Sequence, residues 1–86
     1  MSPAIHRERG YTFYFVMADL SEPPHVHVGE GRSRRGDDAK IWLSPVAVAR
    51  DGRYSQSELG RILKIVNERS SAMLREWESY VGSTGN

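Results

Sequence analysis

The sequence predicts an α+β domain, a three- to four-stranded, mainly antiparallel sheet with one long C-terminal helix packed across one face. Two changes of pattern carry that expectation. Segments in the N-terminal half alternate with the period of two that strands require, whereas from Ser55 apolar residues recur at helical spacing. The length of 86 residues allows one domain at most, so residues 1–86 read as a single unit with a frayed tail at 82–86.

Tyr11-Thr12-Phe13-Tyr14-Phe15-Val16-Met17 is dense in aromatic and β-branched residues, and Tyr11, Phe13, Phe15 and Met17 form one apolar face. It is the first predicted strand. Asp19 to Pro24 is polar and proline-punctuated, hence a connection, and His25 to Val28 is a short second strand. Gly29 to Asp38 holds three glycines and no large apolar residue, which predicts a mobile loop. Ala39-Lys40-Ile41-Trp42-Leu43 alternates as a third strand, with Lys40 and Trp42 sharing one face. Val46 to Arg50 reads as a fourth short strand or an irregular edge segment, ending in a turn at Asp51-Gly52.

The helix begins with its own cap. Ser55 followed three residues later by Glu58 is a capping box. Leu59, Ile62, Leu63, Val66, Ser70, Met73, Leu74, Trp77 and Val81 continue in phase, predicting a helix of about twenty-five residues, roughly 37 Å long, ending before Gly82. Four strands about 4.8 Å apart make a narrower sheet than that. The helix therefore runs diagonally, breaks near Asn67 to Ser71, or projects its last turns onto a partner.

Without cysteine there is no disulfide and no thiolate chemistry, and a core this small favours assembly into a homo-oligomer or a hetero-complex. The N-terminus lacks an apolar signal region, and nothing approaches the roughly 20 apolar residues of a membrane span, so a cytoplasmic protein with no membrane contact is expected. Net charge is +1, which argues against nonspecific nucleic-acid binding by bulk charge. All twelve basic residues except Lys40 and Lys64 are arginine, however, and Arg32, Arg34 and Arg35 are clustered. Arginine suits forked contacts to phosphate or carboxylate.

The chemical interest centres on Pro23-Pro24-His25-Val26-His27-Val28. If Val26 and Val28 face the core, His25 and His27 stand side by side on the opposite surface, where imidazoles could share a divalent metal, a phosphate or a proton. A metal site would need a further ligand from His6, Asp19, Glu22, Glu30, Asp37 or Asp38, and no spacing selects one. The bland reading is that both histidines are surface or half-buried strand residues. Arg32, Arg34, Arg35, Lys40 and Trp42, with Tyr11 and Tyr14 for stacking, form the candidate surface for RNA or a protein partner. Against it, Glu30, Asp37 and Asp38 partly neutralise the arginines, and Trp42 can equally serve as a second core layer. A nucleophile elbow and a phosphate-binding glycine loop are both absent from the sequence.

The aromatic segment Tyr11 to Met17, the Pro-Pro-His-Val-His-Val element, Ala39 to Leu43 with Pro45-Val46, and the capped helix ending in Leu74-Arg75-Glu76-Trp77 resemble the small prokaryotic family designated domain of unknown function 4160. The resemblance covers nearly all of residues 5–81, although the loop with its arginines is longer here than is usual in the family. Members of that family tend to be encoded beside a second small protein. That layout implies a toxin-antitoxin-like pair, with this chain as the toxin-like partner acting by binding or cleaving RNA or another target. The contrasting expectations are a metal-dependent or histidine-assisted ribonuclease using His25 and His27 outside such a pair, and a non-catalytic interaction module.

Overall fold

The computed structural model describes residues 3–31 and 37–84, the side chains of 83 and 84 excepted. Among the described residues, five strands form one antiparallel meander in the order β1 (Ala4–Glu8), β2 (Tyr11–Tyr14), β3 (His25–Glu30), β4 (Ala39–Leu43), β5 (Val46–Arg50). One helix follows, α1 (Gln56–Thr84). The α+β class and the long C-terminal helix agree with the sequence reading; the strand count does not.

The additional strand is β1. Ile5 is its one large apolar residue, so no alternation marks it, and it lies half exposed at the sheet edge. What makes it a strand is pairing with β2, from Ala4 opposite Tyr14 to Glu8 opposite Tyr11. The hairpin between them turns at Arg9 (φ 55) and Gly10 (φ 84), two positive φ values in succession as in the tight turns that match strand twist.

The aromatic strand is shorter than expected. It ends at Tyr14, and Phe15 leaves the ladder to bond the Pro3 carbonyl through its N–H at 3.1 Å. Met17, expected on the continuous apolar face, lies in a 3-10 turn, Met17–Asp19. Conversely, β3 runs on through Gly29 and Glu30, which pair with Thr12 and Tyr11, so the loop begins later than predicted. The β4–β5 connection is two residues with a cis Ser44–Pro45 bond.

Phe13, Val26, Val28, Ala39 and Ile41 share the inner face and are fully buried with Ile62 and Val66 of α1. Both halves of the capping box form: Ser55 N–H donates to Glu58 Oε1 at 3.0 Å and Glu58 N–H to Ser55 Oγ at 3.2 Å. The helix is continuous over 29 residues, neither breaking near Asn67 nor stopping at Gly82. It spans the long axis of a molecule 40 × 24 × 19 Å. The turn before its last residues packs on the chain itself. Trp77 and Tyr80 meet Phe15, just beyond β2, at ring-centroid distances of 5.2 and 5.7 Å. Ile65, which the predicted stripe omits, is also buried, while Val81 is exposed. Among the described residues, no helix is long and apolar enough to cross a membrane.

Candidate functional site

Strand alternation places His25 and His27 on the face of β3 opposite Val26 and Val28, as the sequence predicts. Register then sets their neighbours: His25 lies opposite Trp42, and His27 stands between Tyr14 on one side and Lys40 on the other. They are not surface residues. The connection from Phe15 to Pro24 folds back over the strand, leaving His25 at 0% and His27 at 7% exposure.

That connection delivers Asp19 onto both rings. Its N–H closes the 3-10 turn on the Val16 carbonyl at 2.9 Å. Its Oδ2 then lies 3.3 Å from His25 Nε2 and 3.1 Å from His27 Nε2. His25 is held from behind by Nδ1, which lies 2.9 Å from the Pro23 carbonyl oxygen. His27 is stacked on Tyr14 with centroids 5.3 Å apart, and His25 contacts the rings of Trp42 and Trp77 at 5.7 and 5.1 Å. Glu22, from the same connection, clasps Lys40 at 2.6 Å, and Lys40 Nζ lies 4.8 Å from the Trp42 ring centre.

Burial works against charge on Asp19, but its hydrogen bonds to His27 and His25 outweigh that and hold its carboxyl below the usual range. Burial lowers the His27 imidazole, only partly offset by Asp19. At neutral pH the cluster therefore pairs a carboxylate with a neutral His27 ring. Two imidazoles and one carboxylate converging on a common point can relay a proton or hold a cation.

Of the six further ligands that the sequence leaves open, the fold brings Asp19 to the pair. His6 faces Glu8 at 2.8 Å, Glu22 is committed to Lys40, and Glu30 pairs with Tyr11 at the far end of β3. Asp37 and Asp38 meet Arg53 at 3.5 and 3.0 Å. Asp38 is a surprise: placed by the sequence in a mobile loop, it is fully buried and accepts a hydrogen bond from Tyr14. Gly29 makes room for it, because a Cβ there would lie 2.5 Å from Asp38 Oδ2. A glycine interrupting an otherwise regular strand was the available signal.

Trp42 and Lys40 do share a strand face, and both are half-buried. Arg32, Arg34 and Arg35 lie outside the described residues. Two grooves run between β1 and α1, one lined by His6, Arg69, Met73 and Glu76 and the other by Glu8, Arg61 and Lys64; neither includes a residue of the Asp19–His25–His27 cluster.

The family model described as "Domain of unknown function (DUF4160)" matches residues 10–78, which span the whole cluster, the strands that carry it and most of the helix behind it. The chain belongs to this family. No curated protein and no solved structure matches it. The family match leaves out β1 and begins at the Gly10 turn, so the histidine pair and Asp19 fall within the shared domain while the edge strand lies outside it.

Proposed function

We propose that this chain is the toxin-like member of a cytoplasmic two-protein module, paired with an antitoxin-like small protein encoded nearby, and that it cleaves RNA at the Asp19–His25–His27 cluster. The observation that carries the reading is one carboxylate oxygen shared by two imidazole nitrogens at 3.3 and 3.1 Å. RNA brings its own nucleophile, the 2′-hydroxyl beside each phosphodiester, so cleavage needs a proton acceptor and positive charge near the phosphate. Lone pairs converging from imidazole and carboxylate supply the first or hold the second. Lys40 lies opposite His27, and Arg32, Arg34 and Arg35 follow β3 in the chain. The pairing with a second protein rests on the gene layout of the family it resembles.

A non-catalytic interaction module is the second reading, favoured by the complete burial of His25 among Trp42, Trp77 and His27. Induced expression of the chain alone, and with its neighbouring gene product, separates the two when combined with Asp19→Asn and His27→Gln variants. The expected result is growth arrest with RNA fragmentation, relieved by the neighbour. Cleavage by folded variants should fall by roughly 10²- to 10⁴-fold, the scale of losing acid-base assistance. Full growth inhibition by a folded Asp19→Asn protein would move the function to the interaction reading.

A further inference from the structure

Ligand-type atoms of Asp19, His25 and His27 converge on one point. A carbonyl oxygen only accepts, so His25 Nδ1, facing Pro23 O at 2.9 Å, carries a proton. Its Nε2 faces an Asp19 carboxylate oxygen 3.3 Å away, which only accepts. A positive charge at that spot, a proton on Nε2 or a metal ion in its place, joins the two groups.

The spacing fits a metal ion. Around a tetrahedral centre with bonds of about 2.0–2.1 Å, neighbouring ligand atoms stand roughly 3.3–3.4 Å apart. Asp19 Oδ2 already lies 3.3 and 3.1 Å from the two Nε2 atoms. Ligand atoms of all three residues fall within 4.8 Å of one another, so closing the last edge takes a side-chain adjustment of at most about 1.4 Å. The surroundings fit as well. A ring Nδ1–H donated to a backbone carbonyl is the outer bond that orients a ligating histidine, and stacking on Tyr14 fixes the plane of His27. The Asp19 side chain keeps 26% of its exposure, leaving one side of the cluster open to water.

We propose that Asp19 Oδ2, His25 Nε2 and His27 Nε2 bind one divalent transition-metal ion of the zinc class, with a fourth position open to water or substrate. Two imidazoles with one carboxylate select zinc, iron or cobalt over magnesium and calcium, which prefer all-oxygen shells. The open position makes this a reactive rather than a closed structural site. The proposal deepens the functional reading, and it rests on that reading only for the location of the site.

The test is metal binding measured without RNA. The full chain, stripped with chelator and confirmed folded by circular dichroism, is titrated with zinc and with cobalt, magnesium serving as control. Expected are close to one zinc per chain, an intense visible spectrum for the cobalt form, and no magnesium binding. Asp19→Asn and His27→Gln should each weaken zinc at least about tenfold, while His6→Ala, which removes the half-buried His6–Glu8 pair, should leave it unchanged. No zinc binding by the folded wild-type chain overturns the proposal. So does binding that survives both cluster variants or disappears with His6→Ala. RNA cleavage is measured separately: zinc binding without cleavage removes the ribonuclease reading and leaves the metal site standing, whereas full cleavage by the stripped chain removes the metal from the mechanism.

Discussion

Trp77 stands edge-on to Phe15, centroids 5.2 Å apart and ring planes at 89°, and this contact joins the end of the helix to the connection that carries Asp19. Trp77 is 4% exposed and also lies against His25 at 5.1 Å. Trp77→Ala is expected to cost about 3–5 kcal/mol, the range for deleting a buried aromatic with incomplete collapse of the cavity. Urea denaturation measures it. A loss below about 1 kcal/mol would show that the helix end does not anchor the fold.

Glycines at two positions should respond in opposite directions. At Gly29 a methyl group would meet the Asp38 carboxylate, which Tyr14 and Arg53 hold in place, so Gly29→Ala should destabilise by about 1–3 kcal/mol. Gly60 is exposed on α1 with nothing within 4 Å of where a methyl group would sit, and Gly60→Ala should stabilise by about 0.5–1 kcal/mol. Melting curves of the two variants that shift the same way would contradict this.

Tyr14 connects the buried acid to the histidine face, donating its hydroxyl to Asp38 while its ring stacks on His27. Removing only the hydroxyl keeps the stack and weakens the satisfaction of a buried carboxylate. Tyr14→Phe should therefore lose about 1.5–3 kcal/mol in chemical denaturation, with zinc binding at the neighbouring cluster retained.

The capping box predicts a pH dependence. The backbone N–H of Ser55 is the main cause holding Glu58 below the ordinary value of 4.5, helped by the Ser55 side chain and by Arg61. A carboxyl lowered in the folded state stabilises above its unfolded value and loses that contribution as pH falls through the folded one. The stability difference between wild type and Glu58→Ala should thus be full at neutral pH and shrink below about 4.5. A gap that stays constant through that range would mean the box contributes without its charge.

Local pattern made much of this protein legible. The capping box and the helical stripe specify where α1 starts and which face it buries, because helical hydrogen bonds and side-chain neighbours lie within four residues of each other. The two-residue spacing of His25 and His27 likewise puts them on one face of any strand, whatever surrounds it.

What the tertiary structure decided lies in long-range pairing. β1 exists because β2 offers it a partner, not because its residues alternate. Asp19, rather than any of five other candidates, reaches the histidines because Phe15 leaves β2 to dock on Trp77 and turns the connection back over β3. Asp38 is buried rather than solvated because Gly29 leaves a space and Arg53 arrives from beyond β5 to meet its charge. Period and composition describe neighbours along the chain, whereas the identity of a ligand or of a buried ion pair depends on which distant segments the sheet register brings together.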